Sequence, residues 1–247
     1  MLKSIEKSFD RQIEILPLGD IHFGARGFDE EKWNHTKEYL NNNPEVYLIM
    51  VGDESNMSLR HSCGTPWDDC MTPQEQVDWV ISELTPYKER ILAAVGSNHF
   101  TNRVIKDTGI NISKMVYETL GCGDVYRDGL APCRFEVEGK LWKIWCAHGN
   151  GGGMRVGGAI NRNEQFMAIT DADLWISGHV HKPATASAGR LVYNGAGGYD
   201  VVPMRQLIVP SYLGYSGYAE MGMLLPSGFV QNSVILTKDS LSLKEIV

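Results

Sequence analysis

The chain has 247 residues, of which 43% are hydrophobic and 21% charged, and its formal net charge is −7. This composition is ordinary for a globular protein and the length suits one sizeable core, so we predict a single domain over residues 1–247. The acidic balance disfavours binding to long duplex DNA, and no stretch approaches the ~20 apolar residues of a membrane span.

The cysteines and the N-terminal residues indicate the cellular compartment in which we expect the protein. Five cysteines at irregular spacing, without a C-x-x-C pair, indicate reduced thiols rather than a disulfide framework. Lys3, Glu6 and Lys7 place charges where a signal peptide needs an apolar run. We therefore expect a cytoplasmic protein with no membrane partner.

Strands and helices alternate through the first half of the sequence. Apolar runs predict strands at residues 12–18, 46–51 and 91–95. Helical patterns follow these strands at residues 29–41, 72–84 and 110–120. The second helix has a strong start signal, because Thr72 can cap it, Pro73 suits its first position and Glu75 follows. The alternation indicates βαβ units.

The second half is richer in strands. Predicted strands at 134–137 and 141–147 flank a hairpin signal at 138–140, and a helix at 159–169 precedes strands at 174–177 and 191–194. Two last strands, 223–225 and 229–236, flank the turn signal Pro226-Ser227-Gly228. The whole pattern predicts an α/β fold in which two sheets pack face to face with helices outside.

Five short motifs carry Asp, Asn and His directly after apolar runs of this kind. In chain order they are Gly19-Asp20-Ile21-His22, Gly52-Asp53, Asn98-His99, His148-Gly149 and Gly178-His179-Val180-His181. Carboxylate, imidazole and amide-oxygen ligands without thiolate suit divalent Mn, Fe, Zn or Co. The motifs together predict a site for two metal ions.

Each motif alone also has a simpler explanation. Asp20 or Asp53 is compatible with a helix cap, and Asn98 with a turn residue. His148 is compatible with a hydrogen-bonded core residue, and alternating histidines such as His179 and His181 occur in ordinary strands. The joint occurrence of all five motifs favours the metal site.

The order and spacing of the motifs resemble those of the calcineurin-like metallophosphoesterase superfamily, over residues 19–181. The resemblance implies a four-layer αββα sandwich of two mixed β-sheets flanked by helices. It also implies that Asp53 bridges two ions and that His99 is a catalytic residue facing the phosphate. The first ion would be held by Asp20, His22, Asp53 and His181, and the second by Asp53, Asn98, His148 and His179.

Two positions depart from the family pattern. Ser97 separates Gly96 from Asn98, and Phe100 follows His99 where the family has an acidic residue. Without that carboxylate, we expect His99 to keep a pKa near its ordinary value of ~6.5. Met57 also stands where the family often has an arginine.

The expected function is hydrolysis of phosphate esters by a metal-bridging hydroxide. Mn²⁺ is the favoured metal, with Fe, Zn, Co or Ni as alternatives. A phosphodiesterase or nuclease is favoured because His99 can protonate a leaving alkoxide. The alternatives are a phosphomonoesterase and a metal-binding scaffold without catalysis.

The loops contain the candidate substrate-binding residues, which are Asn56, Arg103 and Arg155. A glycine-rich loop at 149–158 is compatible with phosphate binding or with a mobile hairpin tip. The tyrosines of 211–218 suit base stacking or packing between strands, and 57–71 suits a lid or an interface. The expected partner is a phosphate ester, including single-stranded nucleic acid or a nucleotide, and the oligomeric state is left open.

Overall fold

The computed structural model describes residues 2–60, 67, 69–150, 155–215, 218–221, 223 and 225–246. The strands within these residues form two six-stranded sheets. They are β1 (Ile5–Phe9), β2 (Ile13–Leu18), β3 (Tyr47–Met50), β4 (Ile91–Val95), β5 (Tyr126–Arg127), β6 (Ala131–Val137), β7 (Lys140–Cys146), β8 (Leu174–Ser177), β9 (Ala184–Tyr193), β10 (Tyr199–Ile208), β11 (Asn232–Leu236) and β12 (Leu241–Glu245).

Both sheets are mixed. The first has the order β1-β6-β7-β8-β10-β9, with β7 parallel to β8 and β8 parallel to β10. The second has the order β12-β11-β2-β3-β4-β5, with β2, β3, β4 and β5 mutually parallel. The carboxyl ends of parallel strands meet at one edge of a sheet, so the loops after β2, β3 and β4 are neighbours.

Side chains of Asp29, Thr72 and Asn111 cap the starts of three of the helices. The helices within the described residues are α1 (Glu30–Asn42), α2 (Pro73–Leu84), α3 (Val104–Thr108), α4 (Ile112–Thr119), α5 (Val156–Ile169) and α6 (Tyr218–Met221). At α2, the Thr72 side chain accepts from the Glu75 N–H while the Glu75 side chain accepts from the Thr72 N–H. This reciprocal cap satisfies two N–H groups that a helix start otherwise leaves unpaired.

The two sheets share one apolar core, and helices cover both outer faces. The rings of Phe9 on β1 and Tyr47 on β3 join the sheets with centroids 5.1 Å apart. On one side α1 and α2 bury Trp33 and Val80 in this core. On the other side Met167 of α5 packs with residues of β8 and β10. The αββα sandwich of two mixed sheets is therefore confirmed.

Several predicted elements need correction. The strand predicted at 223–225 is wrong, because residues 223 and 225 are not in a strand and β11 pairs instead with β2 and β12. The strand predicted at 191–194 is the end of a ten-residue strand that pairs with β10. Strands β1 and β12 were not predicted, because polar residues interrupt their apolar pattern.

Two further observations concern the cysteines and the helices. In the described part of the chain, Cys70, Cys122, Cys133 and Cys146 are free thiols, as predicted. None of the helices described is both long enough and apolar enough to cross a membrane.

Candidate metal centre

Five loops bring the Asp and His side chains of the motifs together. The loops after β2, β3 and β4 carry Asp20, His22, Asp53 and His99, and the loops after β7 and β8 carry His148 and the His179–His181 pair. Because the first three strands of the site belong to one sheet and the last two belong to the other, the site spans both sheets.

Most of these residues have unusual backbone angles. Positive φ angles occur at Asp20 (49°), His22 (57°), Asp53 (52°), His179 (71°) and His181 (55°). Side chains other than glycine rarely adopt this left-handed region, and such strain persists where the surrounding structure enforces it. These left-handed turns at the strand ends allow the Asp and His side chains to converge.

The side chains form three overlapping clusters in which the potential ligand atoms lie within 4.8 Å of one another. The clusters are Asp20–His22–His181, His22–Asp53–His99 and Asp53–His148–His179. His22 belongs to the first two and Asp53 to the last two. This arrangement fits a pair of neighbouring cations with shared ligands.

Several short side-chain contacts join pairs of atoms that could each bind a cation. The Nε2 atoms of His22 and His181 are 3.0 Å apart. His148 Nε2 lies 3.0 Å from an Asp53 carboxylate oxygen and 3.2 Å from His179 Nδ1. Oδ1 of Asp20 is buried without a hydrogen-bond partner. A buried carboxylate oxygen normally has a donor or a cation, so this donor set fits a divalent metal.

Hydrogen bonds outside the clusters orient the ligands. His148 Nδ1 lies 2.8 Å from the carbonyl of Val51, which fixes Nδ1 as a donor to that carbonyl and makes Nε2 the nitrogen that faces Asp53. Oδ2 of Asp20 accepts from the His179 N–H at 2.6 Å, and Oδ1 of Asp53 accepts from the His99 N–H at 2.8 Å.

The pKa values of two buried histidines, His22 and His148, are shifted in opposite directions. Burial, with His181 and His99 nearby, lowers the pKa of His22 to about 3. Burial also acts to lower the pKa of His148, but the Asp53 carboxylate, together with Asp20 and the Val51 carbonyl, outweighs it and raises that pKa to about 9. In the metal-free protein, His148 and Asp53 therefore form a charged pair.

Asn98 and His99 begin a π-helical turn, Asn98–Arg103, that follows β4. Asn98, which was predicted as a ligand, is exposed at the first position of this turn. Arg103 lies at the last position, and its guanidinium nitrogens are 3.1 and 3.3 Å from the two ring nitrogens of His99. The predicted catalytic histidine and the predicted phosphate-binding arginine are therefore adjacent.

The expectation that His99 keeps an ordinary pKa is wrong. Burial lowers the pKa of His99; Asp53 opposes this effect, and the Arg103 charge adds to it. The sequence could not indicate this, because burial, the main cause, depends on tertiary packing, and Arg103 reaches the His99 ring through a π-helical turn.

The other predicted substrate-binding residues differ in their surroundings. Asn56 directs its side-chain amide to protein groups, which are His22, Asp69 and Ser58. Arg155 is exposed at the N-terminus of α5. Residues 151–154 of the predicted glycine-rich loop lie outside the described residues.

The tyrosine segment, 211–218, also contributes to the site. Tyr212 is buried, and its N–H donates to the Asp20 carbonyl at 3.0 Å. Ser211 donates its hydroxyl to the same carbonyl, a contact that sequence analysis missed. Residues 216 and 217 of the tyrosine segment, and 61–66 and 68 of the predicted lid, lie outside the described residues.

Comparison with known proteins was made by sequence and by structure. No family model matches the chain, and no curated protein matches it. Three solved structures are similar over 95% of its length. They are the phosphoesterase Yfce from E. coli (13% identity, 98% of that chain, TM-score 0.47), Vps29 complexed with zinc from Entamoeba histolytica (16%, 98%, 0.41) and a metallophosphoesterase from Sphaerobacter thermophilus (13%, 89%, 0.40).

Proposed function

We propose that this chain is a phosphoesterase that depends on two divalent metal ions. The observation that carries the proposal is the membership of Asp53 in two of the three Asp/His clusters. A carboxylate shared in this way is suited to bridge two ions, the arrangement used to hydrolyse phosphate esters. Oδ1 of Asp20 is buried, accepts no hydrogen bond and lies 3.4 Å from Nε2 of His181, a proposed ligand of the same ion, which supports the same assignment.

The proposed ligands combine the first and third clusters, with Asp53 shared between the two ions, and add Asn98, which belongs to none of the clusters and is taken from the motif resemblance. One ion takes Asp20, His22, Asp53 and His181, and the other takes Asp53, Asn98, His148 and His179. Nitrogen and oxygen donors of this kind suit Mn²⁺, our first choice, and also accept Fe, Zn, Co or Ni. Bound ions would neutralise charge on a phosphoryl group and make a nucleophile available from water at neutral pH.

The chain's own contribution to catalysis centres on His99. Its backbone N–H holds the Asp53 carboxylate at 2.8 Å, so the ring lies beside the proposed bridging ligand. The Arg103 guanidinium next to this ring brings a permanent positive charge to the place where a phosphate would bind. We assign proton donation to the leaving oxygen to His99 and phosphate binding to Arg103, with Arg155 as a second cation.

The preferred substrate is a phosphodiester. A diester has an alkoxide leaving group that needs a proton, and His99 is a candidate donor. The net charge of −7 disfavours long duplex DNA, so a nucleotide or single-stranded nucleic acid is the expected class.

Metal removal tests the proposed function. The purified protein should hydrolyse bis-aryl phosphate, lose this activity after chelation and regain it with Mn²⁺. Asp53→Asn should lower metal content and activity, because it removes the shared charge. Asp200→Asn, an exposed carboxylate on β10, is the matched control and should change neither. Activity that survives chelation, or an absence of bound metal by elemental analysis, would contradict the proposal.

A substrate screen separates the alternatives. It should compare bis-aryl and mono-aryl phosphates, single-stranded oligonucleotides and cyclic nucleotides. Preference for monoesters would identify a phosphomonoesterase. Metal binding without turnover on any ester would identify a scaffold without catalysis.

A further inference from the structure

A hydrogen-bond network links the proposed ligand His22 to helix α2. His22 Nδ1 lies 3.0 Å from Oδ1 of Asn56, and Asn56 Nδ2 donates to Oδ1 of Asp69 at 2.6 Å. The other oxygen of Asp69 accepts from Nε2 of Gln76, which is buried on α2, at 2.8 Å. The network thus runs from the site to a helix that holds no ligand.

Backbone N–H groups fix the orientation of the network. The Met57 N–H donates to Oε1 of Gln76 at 2.9 Å, so the Gln76 amide must turn its Nε2 toward Asp69. The Ser58 N–H donates to Oδ2 of Asp69 at 2.8 Å. Asp69 therefore receives only donors, as an ionised carboxylate requires.

The orientation of the Asn56 side-chain amide is fixed by its hydrogen-bond partners in the same way. Its Nδ2 donates to Asp69 and to the Ser58 hydroxyl, which lies at 2.9 Å, so both amide hydrogens are used. Oδ1 must then face His22 as an acceptor. An acceptor at this distance requires a proton on Nδ1 of His22, which leaves the Nε2 lone pair toward His181 and Asp20.

Backbone contacts on both sides of Asp69 fix its position relative to the proposed metal site. Asp69 forms an isolated β-bridge with Ala25, and the Cys70 N–H donates to the Gly24 carbonyl at 2.8 Å. Gly24 and Ala25 follow His22 by only two and three positions. Backbone contacts thus hold Asp69 against the loop that carries His22.

We propose that Asn56, Asp69 and Gln76 are positioning residues that set the tautomer of His22 for metal binding. In many metal sites a carboxylate contacts a ligating histidine directly, and here the Asn56 amide stands between the two. On this account Asn56 acts through His22 rather than by contacting substrate. The inference rests on the proposed metal site, not on turnover.

The first test reads the tautomer without metal. Long-range ¹H–¹⁵N NMR spectra of the metal-free protein should show His22 protonated at Nδ1, with the signal assigned by its loss in His22→Ala. In Asp69→Asn and in Asn56→Ala this signal should shift toward Nε2 protonation or a mixture of tautomers. A wild-type pattern in both variants would overturn the proposal.

The second test measures Mn²⁺ affinity by calorimetry. Asp69→Asn and Asn56→Ala should each weaken Mn²⁺ binding by about 10- to 100-fold, the usual range for such outer residues. Asp200→Asn is matched, because Asp200 also accepts from an asparagine amide, that of Asn194, but on the β9–β10 hairpin. An equal loss in this control would overturn the proposal by showing a general charge effect.

Two outcomes separate this inference from the proposed function. Absence of turnover in a wild type that binds Mn²⁺ and shows the expected tautomer would contradict the function alone. Absence of Mn²⁺ binding by the wild type would contradict both. The metal-free melting temperature of each variant shows whether the fold is retained, and an affinity loss at an unchanged melting temperature supports positioning.

Discussion

Aspartate and histidine side chains at the strand ends are held by contacts that the motifs alone do not reveal. Asp20 lies in the left-handed region and is fixed through its carbonyl by the N–H of Tyr212 and the hydroxyl of Ser211. Asp53 is held by the backbone of the turn that carries His99. These two proposed ligands are therefore positioned before any ion binds, which lowers the cost of ordering the proposed site.

His99→Ala tests the role of the histidine in proton transfer. We expect metal content to stay intact and kcat to fall by ~10²–10⁴ for substrates with poor leaving groups, with a smaller loss for nitrophenolate. The pKa of His99 is lowered, so the protonated form exists only below its ordinary range and wild-type activity on poor leaving groups should fall as pH rises through that lowered value. Equal losses for both kinds of leaving group would indicate phosphate binding instead.

His148 should release a proton when metal binds. Its pKa of about 9, set by Asp53 against the effect of burial, keeps it protonated at pH 8 in the metal-free protein. A ligating imidazole is neutral, so Mn²⁺ binding should release about one proton from this residue. Calorimetry in buffers of different ionisation enthalpy measures the release, which should decline as pH rises above 9. Release that is independent of pH across this range would contradict the assignment.

At the scale of elements, the site depends on how closely the ends of β8 and β2 approach. Gly178 follows β8, and a Cβ added there would lie 2.5 Å from the Asp20 carboxylate, which follows β2. The two strands belong to different sheets. The absence of a side chain at Gly178 is therefore what allows the ligands of both sheets to meet.

Gly178→Ala should disturb the site more than the fold. The added methyl must displace Asp20, so we expect Mn²⁺ affinity to fall by at least about tenfold, in line with a misplaced ligand. Gly158→Ala in α5 is the control, because a Cβ there meets nothing within 4 Å. Calorimetry should show a loss in the first variant and none in the second. Wild-type affinity in Gly178→Ala would show that the loops adapt freely.

At the scale of the whole molecule, one core underlies both sheets, and it contains an ionisable group. Glu54 follows Asp53, is fully buried, and has one carboxyl oxygen without a hydrogen-bond partner. Tyr117 of α4 donates its hydroxyl to the other oxygen at 2.6 Å. Burial raises the pKa of Glu54 to about 7, although this hydrogen bond acts to lower it. Folding therefore favours the protonated carboxyl.

The stability of the metal-free protein should fall as pH rises because of Glu54. Between its unfolded value of 4.5 and about 7, the folded state keeps a proton that the unfolded chain has lost, so unfolding becomes easier. Glu54→Gln keeps an acceptor for Tyr117 and should gain stability over the wild type, by up to roughly 3 kcal/mol above pH 7. Chemical denaturation at pH 5 and pH 8 measures this. The same difference at both pH values would contradict the prediction.

The sequence by itself determined the sandwich and the chemical nature of the site. Apolar runs identified β2, β3, β4, β7 and β8, because buried strands must be apolar whatever their neighbours are. Asp, Asn and His at the ends of these runs predicted a metal centre, because ligand chemistry belongs to the residue type. Strands whose partners supply their stability, such as β1 and β12, carried too little pattern to be found.

Only the tertiary structure decided how the site is tuned. Burial, with the Arg103 charge adding to it, lowers the pKa of His99, and Arg103 reaches the ring through a π-helical turn that no local propensity predicts. The link from His22 to Gln76 joins residues 54 positions apart in the sequence (76 − 22). Hydrogen bonds and charge interactions act through space, so residues distant in the chain set the tautomer and protonation of ligands that the sequence had already named.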